Sequence, residues 1–422
     1  MSKNFEKLES HVFVTKLAGF EHTEYIQHNQ THVKENIDDI PLVQGKNIRN
    51  GFFVKNHDWF IKKEISDKLI RSKLNKECIL VPYVGSNLGE VGIFYNDYEC
   101  HMASNIAKIE LLDDYFDIEF LKYYLQSSTG QKYLFQAKQG SSQPNITMEA
   151  IRNTLVFDID KKKQNRIAKA LKIIDDKILH NNKINSELEK LAKTLYDYWF
   201  IQFDFPDENN RPYKSSGGEM VYSNELKREI PLDWEIGNLY TIADYYNGLA
   251  CQKFRPIDNE QSLPVVKIGE MHNGINVDTE LVKANIPAKN IIDSGDILFS
   301  WSATLEVMLW TGNKAGLNQH IFKVVPKSFY SKEYVYQQLS SYVINFVRIA
   351  EARKTTMGHI TTDHLKQSKI TLPPKEIIEK YSHSIEFVYK KMIECKKENL
   401  YLIKLRDFLL PMLMNGQVII QQ

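Results

Sequence analysis

Three pairs of short segments carry side chains able to read the edges of bases. Lys46, Asn47, Arg49 and Asn50 stand against Lys267, Glu270, His272 and Asn273. Tyr83, Ser86 and Asn87 stand against Trp301, Ser302 and Thr304. Ser141, Ser142, Gln143 and Asn145 stand against Lys354, Thr355, Thr356 and His359. Arg and Lys suit guanine, Asn and Gln suit adenine, and Ser or Thr suit either. Polar loops are ordinarily just solvated surface, so residue type alone decides nothing. Position singles these out: each set occupies the same place in one of two similar halves, where the frame matches and the loops differ.

No comparable set supports catalysis. An amino-methyltransferase needs a motif such as NPPY or DPPF; Pro373-Pro374 follows Thr371-Leu372, with no acid or amide. No GxGxxG and no GxxxxGK[ST] occurs, so nothing points to a dinucleotide or ATP. Asp113-Asp114 and Asp175-Asp176 are adjacent carboxylates, but the second pair lies on a long helical run and is expected on its solvated face. His22, His28 and His32 lack a partnered acid at ligand spacing and are expected at the surface, so no metal is expected. Four scattered cysteines suggest neither zinc nor a disulfide framework. The first residues lack a signal-peptide core and no apolar run approaches a membrane span, so a cytoplasmic protein is expected. The charge is nearly balanced, 54 basic against 53 acidic residues, so any nucleic-acid field must be local.

What must position these loops is a pair of long helices. Lys161 to Phe200 contains no Gly or Pro. Ile167, Leu171, Ile174, Ile178, Leu188, Ala192, Leu195 and Trp199 recur at heptad spacing, with Asn181 and Asn185 in the middle of the seam. A shift of 214 residues, Leu171 to Ile385, carries the seam onto Tyr381, Ile385, Val388, Met392, Cys395, Asn399, Leu402, Arg406, Leu409 and Leu413. Each helix is about 60 Å long at 1.5 Å per residue and cannot hide its stripe alone. Antiparallel pairing of the two is expected, with the globular halves at opposite ends and a pseudo-twofold axis. Asn185 and Asn399 sit at equivalent seam positions, where a buried amide would fix register or a local opening would leave it wet. Arg406 in the seam suggests that one end is looser or meets another subunit.

The halves themselves read as mixed α+β. In the first, HVFVTKL (11–17) is a strand, Asn50-Gly51 is a tight hairpin turn and 60–75 is an amphipathic helix. ECILVPYVGSNLGEVGIFY (77–95) and ASNIAKIEL (103–111) are strands, and 116–137 has helical period. The second half repeats this order, with Asn273-Gly274 over Asn50-Gly51 and Ile360-Thr361 over Ile146-Thr147. Six features in one order make a tandem duplication. Between the copies, 201–234 has linker composition, and Phe203, Phe205, Tyr213, Met220, Val221 and Tyr222 are expected to anchor it as an ordered strap.

Four stretches carry a family resemblance: LEKLAKTLYDYWFIQFDFPDENNRPYKSSGGEMVYSNELKREIPLDWEIGNL (188–239), LRDFLLPMLMNGQV (405–418), QNRIAKALKIIDDKI (164–178) and the loops GSSQPNIT and KTTMGHIT. The chain resembles the specificity subunit of Type I restriction-modification enzymes over most of its length beyond about residue 75. The second copy departs where its helix begins, lacking the QNRIA wording. The resemblance implies two target-recognition domains, each reading half of an interrupted double-stranded DNA sequence, and helices that set the spacer. It implies no enzyme activity in this chain. It also implies docking of two methylation subunits, which use S-adenosylmethionine, and two ATP- and Mg-dependent translocase-nuclease subunits. The expected architecture is α+β, two α/β recognition domains separated by antiparallel helices. Residues 1–155 form the first domain, 156–202 a long helix, 203–234 the strap, 235–373 the second domain and 374–418 the second helix. Two other readings stay open: a coiled-coil scaffold with protein-binding heads, and a stand-alone DNA methyltransferase with a divergent cofactor site.

Overall fold

The computed structural model describes residues 5–136, 145–302, 304–352 and 360–414. The chain divides into two compact units, 1–177 with 402–422, and 178–401.

In the first unit, Val12–Lys16, Ile106–Leu111, Cys78–Pro82 and Gly92–Phe94 lie side by side in an antiparallel sheet. Val12 and Val14 point inward while Phe13 points out, as expected of an edge strand. Cys78–Pro82 is buried throughout because both its faces are covered. A second sheet orders Phe60–Ile61, Ile40–Val43, Cys100–Met102 and Lys73–Leu74, with Cys100–Met102 parallel to Ile40–Val43. Phe5–Lys7 pairs with Leu155–Phe157. Residues before 40 thus contribute the strands Phe5–Lys7 and Val12–Lys16 to the head.

Two helical expectations change here. The 60–75 segment is not one helix: it holds a strand, the short helix Lys63–Lys68, a 3-10 turn and the strand Lys73–Leu74. Pairing of Lys73 with His101 claims residues that propensity alone would make helical. The 116–137 run breaks into Ile118–Gln126 and Ser128–Leu134. Asp117 caps the first through Phe120 N (2.8 Å), and extended Ser127 caps the second through Gly130 N (3.2 Å). The break needs Gly130, since a Cβ there would sit 2.1 Å from the Tyr124 carbonyl oxygen.

His101 is fully buried between two serines, its Nδ1 and Nε2 each 2.9 Å from the hydroxyls of Ser66 and Ser72. Ser72 donates its own proton to the Leu69 carbonyl, so Nε2 carries the ring proton and Nδ1 accepts from Ser66. Burial pushes the His101 pKa down to about 3, with Lys108 and Lys73 adding to the shift. The unfolded chain binds this proton near pH 6.5, well before the folded chain does. His101 therefore lowers stability by about 1.4 kcal/mol per pH unit as pH falls from about 6 towards about 4, and has no effect above 6.5. Denaturant midpoints across this range, compared with His101→Gln, should differ in slope by one proton; parallel curves would contradict the assignment.

The second unit repeats the frame. Ala243–Asn247, Ile321–Pro326, Ile297–Ser300 and Glu306–Leu309 form the antiparallel sheet. Leu281–Lys283, Ser262–Val266, Ala315–Leu317 and Ile291–Ile292 form the second, again with one parallel pair. Glu235–Asn238 pairs with Lys369–Leu372. Strand order is the same in both units. Even a lysine that bridges the two sheets recurs: Lys108 Nζ donates to the Lys73 carbonyl (3.0 Å) and Lys323 Nζ to the Ile291 carbonyl (2.8 Å), each from the second strand of its sheet to the short edge strand of the other. One local match fails. Asn50 and Gly51, both at positive φ, turn the hairpin Ile48–Arg49/Phe52–Phe53. Asn273 instead ends the helix Ile268–Asn273, and Gly274 (φ 72°) is its left-handed stop.

The first long helix is Lys161–Tyr196, continued by a π-turn over Asp197–Ile201, and the second is Lys375–Met414. Within the second unit they run antiparallel: Asn181 Nδ2 donates to Asn399 Oδ1 (2.9 Å), Asn399 Nδ2 donates to Asn182 Oδ1 (2.8 Å), and Trp199 packs edge-on to Tyr381 at 5.6 Å. Ile178, Ala192, Ile385, Val388, Met392 and Cys395 are buried, and Leu188 and Leu195 are half-buried. Asn399 thus meets Asn181 and Asn182, and all three seam amides, Asn181, Asn185 and Asn399, are buried.

In the first unit Ile167, Leu171, Ile174 and Leu413 are buried, with Leu402 and Leu409 half-buried. Two charged residues differ from expectation. Arg406 is not at a loose end: its Nη1 donates to Asp175 Oδ1 (3.1 Å). Asp175 is not on a solvated face: it is buried and also accepts from Lys122 Nζ (2.8 Å) and the Tyr123 hydroxyl (2.7 Å). Burial works against the charges of Lys122 and Arg406. It leaves Lys122 below the ordinary lysine range, while Asp175 and Asp407 more than offset it at Arg406.

Residues 203–234 are ordered against the second unit. Phe203 and Phe205 are buried, and Phe205 stacks with both Trp234 (5.4 Å) and Tyr213 (4.7 Å). Met220–Ser223 and Arg228–Pro231 form a hairpin. Val221 and Tyr222 are not anchors; they point to opposite faces of that hairpin and both are exposed, by 41% and 60%.

Candidate nucleic-acid interface

In the first head, the strand Ile40–Val43 delivers a 3-10 turn and then the hairpin with its tip at Asn50-Gly51. Asn47 is buried and fully used: Oδ1 accepts from Gln44 N (2.8 Å), and Nδ2 donates to the carbonyls of Val54 (3.0 Å) and Asn56 (2.6 Å). It shapes the loop and is withdrawn as a base reader. Lys46 is exposed and paired with Asp58, which that hydrogen bond holds below the usual carboxylate range. Arg49 and Asn50 are exposed at the tip. Glu90 accepts from Gly51 N (3.1 Å), and Gln126 donates to the carbonyls of Gly51 (3.3 Å) and Val91 (2.9 Å), so the tip is pinned to the helix behind it.

The second loop closes on the first. Asn87 Nδ2 donates to the Ile48 carbonyl (3.0 Å) and its Oδ1 accepts from Ser86 (2.9 Å). Asn87 is therefore a brace, and Ser86 stays exposed. Tyr83 N donates to the Asn105 carbonyl (3.0 Å), and Ile146 N donates to the Tyr83 carbonyl (3.0 Å). The segments around 46–51, 83–90 and 145–147 are thus brought together. Asn145 is half-buried, while Ser141, Ser142 and Gln143 lie outside the described residues.

The second head makes the same two backbone bonds: Trp301 N to the His320 carbonyl (3.3 Å) and Ile360 N to the Trp301 carbonyl (3.2 Å). Its side chains differ. Lys267 pairs with Glu280 (2.8 Å), which raises its pKa and keeps it charged, and Glu270 accepts from Lys267 N (3.1 Å) as a helix cap. His272 pairs with Glu306 (2.7 Å). Ser302 is buried, which withdraws it, whereas Asn273 and Thr304 are exposed. Lys354, Thr355, Thr356 and His359 lie outside the described residues.

Two residues escaped the sequence reading. Lys16 places its ammonium 4.7 Å from the Tyr83 ring centre, and Asn247 Oδ1 accepts from the Trp301 indole (3.0 Å). Each ends the first strand of its four-stranded antiparallel sheet, opposite Ala107 and Phe322 respectively. Their strands share too little sequence to align, and the 231 residues between them differ from the 223 that relate Asn50 to Asn273.

Among the described residues, no group of three or more His, Cys, Asp or Glu is placed to hold a metal ion, and no helix is long and apolar enough to cross a membrane. The arrangement offers donors and acceptors on braced loops, which suits binding rather than bond-making.

The model of the Type I restriction modification DNA specificity domain matches residues 24–190 and 231–404, one match per copy. The MjaIX specificity subunit of Methanocaldococcus jannaschii is 24% identical over 313 residues, covering 72% of this chain and 70% of that protein. The HindI specificity subunit of Haemophilus influenzae is 24% identical over 354 residues, covering 71% and 77%. The crystal structure of the Type I S subunit from M. genitalium shares the fold, with a TM-score of 0.53 at 14% identity over 98% of this chain and 96% of that one.

Proposed function

We infer the function from one premise: the chain belongs to the Type I restriction-modification DNA specificity family, and is the non-catalytic subunit that recognises the DNA target. The scaffold and stand-alone methyltransferase readings are not favoured. Each head reads one half of an interrupted double-stranded sequence. The long helices set the spacer and, with the strap, dock two methylation subunits; two restriction-translocase subunits join for cleavage. S-adenosylmethionine, ATP and Mg belong to those partners, and the complex works in the cytoplasm. The working division is residues 1–155 and 235–373 as heads, 156–202 and 374–418 as helices, and 203–234 as strap.

One observation carries this reading. Two heads keep the same three sheets and the same bonds at Tyr83 and Trp301, yet differ in nearly every exposed side chain around them. A duplicated frame with diverged loops is what reading two different half-sites requires. Lys46, Arg49, Asn50, Tyr83, Ser86 and Asn145 act on one half, with Lys267, His272, Asn273, Trp301 and Thr304 on the other. Ser141, Ser142 and Gln143 are assigned to the first half-site and Lys354, Thr355, Thr356 and His359 to the second, all outside the described residues.

Binding of the assembled complex to its target should fall steeply with salt. With about six phosphate contacts, affinity drops by roughly a thousandfold between 50 and 200 mM. Fluorescence anisotropy on target and scrambled duplexes measures this; a flat response would count against phosphate contact.

A further inference from the structure

We propose that Lys16 and Asn247 are specificity-determining residues, each presenting a hydrogen-bond donor to an acceptor on a base edge, and each held by the aromatic ring beside it. This rests on the reading of the heads as DNA-recognition modules. The two side chains occupy one place in the duplicated frame, the last residue of equivalent strands. Both are exposed. Both address the residue, Tyr83 or Trp301, whose carbonyl is bonded to the 145–147 segment or its counterpart at Ile360. They sit on strands rather than loops, so their backbone is fixed before any DNA arrives. Asn247 is fixed further, since its carbonyl accepts from Asn290 Nδ2 (2.6 Å).

The chemistry at the two places differs in an informative way. An indole N–H can only donate, so it holds the Asn247 amide oxygen towards Trp301 and turns the amide NH2 away. The outward polar group is therefore a donor. Lys16 carries donors only, steered by attraction to the Tyr83 ring. Guanine, with N7 and O6 both acceptors in the major groove, fits either residue best. Trp301 and Tyr83 are positioning residues in this scheme.

The test uses the full chain assembled with its methylation subunits, and duplexes substituted at each target base. Asn247→Asp keeps an acceptor for the indole but replaces the outward donor with an oxygen. At one base of one half-site it should weaken binding of guanine by roughly ten- to a hundredfold and improve binding of a base that offers a donor, cytosine or adenine. Trp301→Phe, which removes the N–H anchor together with part of the ring, should relax preference at that same base and leave the other half-site alone. Lys16→Met should act on a single base of the opposite half. Variants that rank all substituted duplexes as the wild type does would overturn the proposal while leaving two-headed recognition standing. A wild-type complex with no base preference at all would overturn that recognition and this proposal together.

Discussion

Phe200→Ala is expected to lower the unfolding free energy of the second unit by about 4 kcal/mol, in the range of roughly 3–5 found for buried phenylalanines. Phe200 is 2% exposed and lies where the first helix passes into its π-turn. Its ring is 4.8 Å from Tyr381 of the second helix, 4.9 Å from Tyr334 of the head, 5.2 Å from Tyr196 and 6.0 Å from Trp234 of the strap. Truncation removes transfer energy and leaves a cavity that four anchored rings cannot all close. Because those rings come from different parts of the unit, helix, strap and head should loosen together. Urea unfolding followed by tryptophan fluorescence measures the loss. A change below about 1 kcal/mol would mean that the rings repack around the gap instead of staying fixed.

Asp175→Ala should destabilise the first unit by about 3–5 kcal/mol, because Lys122 and Arg406 would lose their shared buried anion. Replacing all three residues with apolar ones, Lys122→Met, Asp175→Leu and Arg406→Leu, should restore most of that stability. The chain already contains an uncharged solution. A shift of 214 residues takes Lys122 to Tyr336 and Asp175 to Tyr389, and the reverse shift takes Arg406 to Ala192. There Tyr336 packs edge-on to Tyr389 at 5.7 Å, and Ala192 is fully buried. Thermal unfolding of the single and triple variants separates the two effects. A triple variant as unstable as the single one would mean that the charges are needed for more than mutual neutralisation.

Much of the architecture was legible because duplication writes each element twice. The heptad seams, the order of strands and the equivalence of Ile146 with Ile360 all follow from comparing the halves. Elements defined by partners were not legible. Lys73–Leu74 is a strand only because Cys100 and His101 lie beside it. The burial of Asp175 depends on Arg406, distant in sequence, which reads as an anomaly until the two meet. The reading surface shows the same limit. Residue type marked Asn47 and Ser302 as readers, but Asn47 spends its amide on its own loop and Ser302 is buried. Lys16 and Asn247 lie on strands whose sequences, HVFVTK and ADYYN, share too little to suggest equivalence.

Two heads that read separate half-sites can be exchanged one at a time. Exchanging residues 1–155 for those of another family member, in a cell carrying the partner subunits, and mapping methylated bases across the genome tests it most directly. One half of the methylated sequence should change while the other half and the spacer persist. A map in which both halves change, or in which neither does, would contradict it.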